Sequence, residues 1–165
     1  MNDSYAAPVS HSRIGQEIGQ RRAFRSAEHE CLVSLLRTTD VLRRSLASVV
    51  ETRGITLQQY NVLRILRGAG PAGLPTLEIA ARMIEQAPGI TRLLDRLDRK
   101  RLVRRERCPK DRRQVLCFLT PAGGRLLARR DLGVERSDRE SLKHLTPGDL
   151  RELVRLLDAV RSGQG

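Results

Sequence analysis

The chain has 165 residues, 39% of them apolar, enough for one domain with a core, and a formal net charge of +12 that suits a polyanionic partner. Tyr5, Phe24, Tyr60 and Phe118 are its only aromatic residues, which argues against a reader of RNA or single strands that stacks bases on rings. No apolar run approaches the ~18 residues of a membrane span, the N-terminus lacks an apolar signal core, and Cys31, Cys108 and Cys117 form no CxxC pair, so the expectation is a cytoplasmic protein without disulfides, zinc or another cofactor.

Residues 1–20 carry Pro8, Gly15, Gly19 and several serines with little periodicity, and are expected to form a flexible arm with a short helical piece. From Arg21 to Thr52 the apolar residues Phe24, Ala27, Cys31, Leu35, Leu42, Leu46 and Val49 recur at three- and four-residue steps. That spacing predicts one long helix, ended by Gly54. Such a helix outruns a small globular body and is expected to pack against another subunit. Thr56 caps a helix over 57–67 with Tyr60, Leu63, Ile65 and Leu66 facing inward. A Gly/Pro-rich link over 68–73 follows, and Leu74-Pro75 is expected to be the remnant of a strand.

The stretch from Thr76 to Thr120 organises the rest. Leu77, Ile79, Ala80, Met83 and Ile84 read as one apolar face of a short helix. After the break at Gln86-Ala87-Pro88-Gly89 comes a second helix with Ile90, Leu93, Leu94 and Leu97 on its inner face. Val103–Arg107 and Val115–Leu119 read as strands joined by the polar tip 108–114. Helix, turn, helix and basic hairpin outline a winged helix-turn-helix, whose usual partner is duplex DNA. Between Arg92 and Arg113 stand eleven Lys or Arg against four acids, a surplus of seven out of the chain's +12. A polyanion would meet one concentrated patch.

Thr120-Pro121 opens a polar helix towards Leu145, with a thin stripe of Leu126, Leu127, Leu132 and Leu142 and an expected bend at Gly133. Thr146-Pro147-Gly148-Asp149 repeats the opening signal as a capping box. The last helix shows Leu150, Leu153, Val154, Leu157 and Val160 at helical spacing. These terminal helices lack an apolar partner in the chain, and pairing across a two-fold axis would supply one. The fold class is therefore mainly α with a small β-hairpin wing. Its expected parts are an arm (1–20), a helical dimerisation region (21–54 and 121–165) and a winged helix-turn-helix (55–120).

Thr91-Arg92-Leu93-Leu94-Asp95-Arg96-Leu97, Lys100-Arg101-Leu102-Val103, Asp111-Arg112-Arg113 and Leu119-Thr120-Pro121-Ala122-Gly123 resemble the MarR (multiple antibiotic resistance regulator) family over roughly Ile55 to Leu127. The resemblance implies a homodimeric transcription regulator on a pseudo-palindromic operator, its dimer built from the first and last helices. It further implies repression relieved by a small molecule bound between those helices and the DNA-binding lobe. At the wing it makes Arg113 a minor-groove residue and Asp111 the acid that holds it, with Lys110 and Arg112 on phosphates. Two departures stand out. Pro88-Gly89 replaces a common Ser-Thr, which removes hydroxyl contacts but leaves Gly89 able to bring the backbone close to a phosphate. Arg101 stands where the family often has Gly.

Arg92 is the first candidate for direct base readout, on the side of its helix away from Leu94 and Leu97, with Gln86, Thr91 and Arg96 flanking it. Asp95 has the wrong sign for DNA and is expected to pair with Arg99 one turn on. Cys31 resembles in position the reactive thiol of peroxide-sensing relatives, but Leu57 stands where a supporting tyrosine is expected, and the apolar stripe favours a buried Cys31. Cys117 is expected in the core and Cys108 exposed beside the wing. His11, His29 and His144 are scattered and Gly68-Ala69-Gly70 precedes no GK[ST], so no enzyme is expected. The rivals are a thiol-based redox regulator using Cys31, a sequence-indifferent protein that coats DNA, and a winged helix that binds protein.

Overall fold

A computed structural model of the chain describes residues 13–51, 54–85, 89–109, 111 and 113–163. The chain divides into two units, residues 1–44 and 45–165. The first contains α1 (Arg13–Glu17), closed by an Arg13–Glu17 ion pair, and most of α2 (Ala27–Val50). The long helix thus starts at Ala27 rather than Arg21. The Ser26 hydroxyl accepts the His29 N–H, and Glu28 and Glu30 occupy the first turn, where the helix dipole favours acids. Phe24 lies before the helix and sets its ring edge-on to His29, with centroids 5.6 Å apart.

The second unit is built around α3 (Leu57–Ala69). Thr56 and Gln59 form a reciprocal capping box at its start. Tyr60, Val62, Leu63 and Leu66 are buried, while Ile65 is only half-buried. α3 packs against α4 (Thr76–Ala81), α5 (Ile90–Arg99), β3 (Val115–Leu119) and α6 (Pro121–Leu142). Ile79, Leu94, Leu97, Val103, Cys117 and Leu127 complete a continuous core with Val50. Each fully buried leucine contributes about 2 kcal/mol through the apolar surface it removes from water.

The strand remnant is present: β1 (Leu74–Pro75) pairs antiparallel with β3, which pairs in turn with β2 (Val103–Arg107), in the order β1-β3-β2. Pro75, with no N–H to give, sits on the edge strand. Gly73 precedes it at φ +65°, and a Cβ there would lie 2.6 Å from the Phe118 ring, so the position admits glycine alone.

Thr120 caps α6 by accepting the Gly123 N–H at 3.1 Å, and Pro121 takes the first position, as predicted. The helix ends at Leu142, short of Leu145, and runs unbroken through Gly133. A Cβ at Gly133 would meet Val49 at 2.9 Å, so this glycine makes room for the last turn of α2. Arg67 and Asp131 join α3 to α6 at 2.8 Å. The final helix, α7 (Pro147–Ser162), opens with the predicted Thr146–Asp149 box. Its Leu153, Val154, Leu156 and Val160 are exposed, as are Leu32, Leu36, Val41 and Leu42 of α2. Among the described residues no helix is long and apolar enough to cross a membrane, and no group of His, Cys, Asp or Glu could hold a metal ion.

Candidate nucleic-acid interface

The amphipathic pattern of α5 is carried out, with Ile90 at its start only half-buried. Leu93, Leu94 and Leu97 are buried, and Thr91, Arg92, Arg96 and Arg99 are exposed on the other side. Gly89 is its N-cap, in the left-handed region at φ +92°, with open space around its Cβ position. The demand for glycine there is conformational rather than steric. Gln86 and Pro88 lie outside the described residues.

The preceding helix is shorter than its apolar pattern predicts. α4 stops at Ala81, and Ile79 alone is fully buried, while Leu77 and Ile84 are 82% and 81% exposed. The reason is a partner on another helix. Ile84 N donates to Asn61 Oδ1 at 3.0 Å, which pins the turn to α3 with the Ile84 side chain outward. Asn61 carries no sequence signal beyond its place on the helix.

The C-terminal end of α5 holds the Arg101 departure. Arg101 N donates to Asp98 O at 2.7 Å and Leu102 N to Leu97 O at 3.0 Å, the paired bonds of a Schellman ending. That ending puts Arg101 at φ +56°, the one described non-glycine residue with a positive φ. The family's glycine is thus a backbone requirement that Arg101 meets under strain. Thr120 Oγ1 fastens the loop by donating to Arg101 O at 2.8 Å.

On β2 the side chains alternate. Arg104 lies over the Phe118 ring at 4.5 Å and pairs with Glu106. Arg105 points inward beside its cross-strand neighbour Cys117 and is ion-paired with Asp95. The expected Asp95–Arg99 pair does not form; Arg99 Nε donates to the Asp95 main-chain oxygen instead. The geometry explains the choice, since Arg105 is partly buried with Nε lacking a partner and needs a carboxylate more than exposed Arg99 does. Among the described residues, two of these cations, Arg104 and Arg105, are therefore already engaged by acids. Alternation from buried Val103 could have placed Arg105 inward from sequence alone.

At the wing tip Asp111 is the organising residue. Its Oδ1 accepts the main-chain N–H of Arg113 at 3.0 Å, its Oδ2 accepts from Gln114 Nε2 at 3.0 Å, and its carbonyl accepts Gln114 N. It holds the Arg113 backbone rather than the guanidinium, which stays exposed. Lys110 and Arg112 lie outside the described residues.

The cysteines divide three ways. Cys117 is fully buried, and burial pushes its thiol up, partly offset by hydrogen bonding from Thr76 and by Arg105. Cys108 is half-buried and not exposed. Cys31 is exposed, against the expectation of a buried small hydrophobe, because no described residue of its own unit covers that stretch of α2; Leu32 and Leu36 beside it are exposed too.

A helix-turn-helix followed by a β-hairpin wing whose sheet is completed by a short strand ahead of it, with an exposed cationic face, defines a winged-helix DNA-binding protein. The MarR family model matches residues 55–115. A solved MarR transcription factor from Planctomyces limnophilus is 40% identical, with 82% of this chain and 98% of that chain covered and a TM-score of 0.64. A mutant MarR from E. coli, solved in complex with operator DNA, is 29% identical over 76% of this chain and 89% of that one, TM-score 0.69. The homoprotocatechuate degradative operon repressor of Escherichia coli is 27% identical over 131 residues, 79% of this chain and 87% of the repressor. The chain belongs to the MarR family, transcription regulators that bind DNA.

Proposed function

We propose that the protein is a homodimeric, sequence-specific repressor released by a small-molecule effector. The observation that carries this is the exposed cationic face of α5 on a buried leucine seam, beside a wing ordered by Asp111. Arg92 reads bases in the major groove, flanked by Gln86, Thr91 and Arg96, while Gly89, after Pro88, lets the backbone approach a phosphate. Arg113 enters the minor groove, Asp111 sets its direction, and Lys110 and Arg112 take phosphates. The exposed leucines and valines of α2 and α7 support a dimer made from residues 21–54 and 121–165. Repression as the sign of control follows the E. coli relative's name. Release follows from the family likeness: an effector shifts the population towards a spacing of the two α5 helices that no longer fits the half-sites.

Selection from random duplexes tests this reading, with sedimentation of the free protein beside it. The expected result is enrichment of an inverted repeat with half-sites about one helical turn apart, bound by a dimer. Recovery of duplexes without enrichment would replace it with a DNA-coating protein.

The exposure of Cys31 favours a second reading, in which oxidant rather than ligand controls release. Loss of DNA binding under peroxide, restored by reductant and absent in Cys31→Ser, would establish it.

A further inference from the structure

The N-terminal end of α5 is the end that its own burial holds least. Leu93, Leu94 and Leu97 are buried, but Ile90 is only half-buried and Gly89 is exposed. No side chain of a described residue caps the helix, and Gly89 is a residue type that accepts many entry angles. Thr91 and Arg92, which face solvent, belong to this end. Its direction therefore depends on how the preceding turn is fixed.

That turn is tied to α3. Beyond Ala81 the N–H groups of Arg82 and Met83 fold back onto Glu78, Ile79 and Ala80, within α4 itself. Ile84 N breaks the pattern and donates to Asn61 Oδ1 at 3.0 Å. An amide side chain can present an oxygen or an N–H₂, and a main-chain donor selects the oxygen. Asn61 stands on a helix that cannot shift without opening the core, because Tyr60, Val62 and Leu63 around it are buried. The Met83 side chain packs against that core, whereas Ile84 is 81% exposed. Ile84 gains no burial from its position, so its main-chain bond rather than its side chain holds it there.

We infer that Asn61 is a positioning residue for sequence readout: by holding the Ile84 N–H it fixes the angle at which α5 presents Arg92 to base edges. The inference rests on the reading of α5 as the sequence-reading helix. A guanidinium forked onto guanine needs both of its bonds aligned, whereas attraction to phosphates tolerates a small tilt. Loss of the Asn61 bond is therefore expressed as lost preference between duplexes. A residue that merely supports the fold would alter stability, or binding to every duplex alike.

The test compares full-length wild type, Asn61→Leu, which keeps the size but removes the acceptor, and Asn61→Asp, which keeps the acceptor oxygen. Fluorescence anisotropy is measured on the selected duplex and on a scrambled one, with amide exchange at Ile84 and thermal unfolding beside it. Asn61→Leu is expected to melt cooperatively and to exchange the Ile84 N–H faster. Its preference for the selected duplex should fall about tenfold, the discrimination that one good bidentate contact carries, with scrambled binding and its salt slope unchanged. Asn61→Asp should regain the preference, although its added charge weakens binding to both duplexes alike. If Asn61→Leu does not melt cooperatively, the smaller truncation Asn61→Ala carries the same comparison. A wild-type preference that survives removal of the acceptor would overturn the inference, as would equal losses on both duplexes or an Asn61→Asp no better than Asn61→Leu. A wild type without preference would instead remove the reading of α5, and this role with it.

Discussion

Asp95 on α5 is ion-paired with Arg105 on β2, so the helix that faces solvent with Arg92 is tied to the wing's first strand by a partly buried charge pair. The bond joins two elements that must keep a fixed mutual angle if both are to meet one duplex. Asp95→Ala leaves Arg105, only 22% exposed, without its carboxylate, and is expected to cost about 1–2 kcal/mol of stability. Urea unfolding measures it. Arg105→Met added to Asp95→Ala is expected to restore part of the loss, because the orphaned charge is then gone. Equal stability of wild type and Asp95→Ala would contradict this role.

Arg101 holds a left-handed conformation at the end of α5. Arg101→Gly is expected to stabilise the protein by about 0.5–1 kcal/mol, the relief of strain exceeding glycine's extra freedom when unfolded. Thermal unfolding would show it as a rise of a few degrees. A lower melting temperature would mean that Arg101 makes contacts outweighing its strain.

Gly123 explains a residue of the family signature in steric terms. A Cβ there would stand 2.4 Å from the Leu102 carbonyl oxygen, on main chain held by the Thr120 N–H and the α5 ending. Gly123→Ala is expected to cost about 1–3 kcal/mol or more, as overpacking against backbone does. Gly124→Ala, with open space, is expected to be neutral or slightly stabilising, and denaturation of the pair separates space from helix propensity.

The buried thiol of Cys117 gives a pH dependence with a definite sign. Its folded pKa lies above the ordinary thiol value, so the unfolded chain loses this proton first as pH rises. The contribution is fully present below the ordinary value and is lost between there and the raised folded value, so stability falls in the alkaline range. Cys117→Ala is expected to flatten that part of the profile. A thiol reagent near neutral pH should label exposed Cys31 before Cys117, and the order is read by mass spectrometry.

Much of this architecture was legible because the signals were local. The Thr56, Thr120 and Thr146 caps, the leucine seam of α5 and the two wing strands each depend on residues within a few positions of one another. What escaped depended on distant partners. Leu77 and Ile84 satisfy a helical pattern, yet α4 ends early because Asn61 claims the Ile84 N–H. Asp95 had Arg99 at helical spacing, but Arg105 from strand β2 carried the larger desolvation penalty. Phe24 continued an apolar stripe that Ser26 interrupts by capping α2. Within the site, the inward turn of Arg105 was available from strand alternation and the strain at Arg101 was not.

The central claim is that α5 reads sequence through Arg92. Fluorescence anisotropy of wild type and Arg92→Ala, on the selected duplex and on a scrambled one across a salt series, tests it most directly. The account predicts a wild-type preference of ~10³ or more with a steep salt slope, and a loss of about 1–3 kcal/mol for Arg92→Ala on the selected duplex with far less on the scrambled one. Equal losses on both duplexes, or no preference in wild type, would contradict it and make α5 a phosphate-binding surface only.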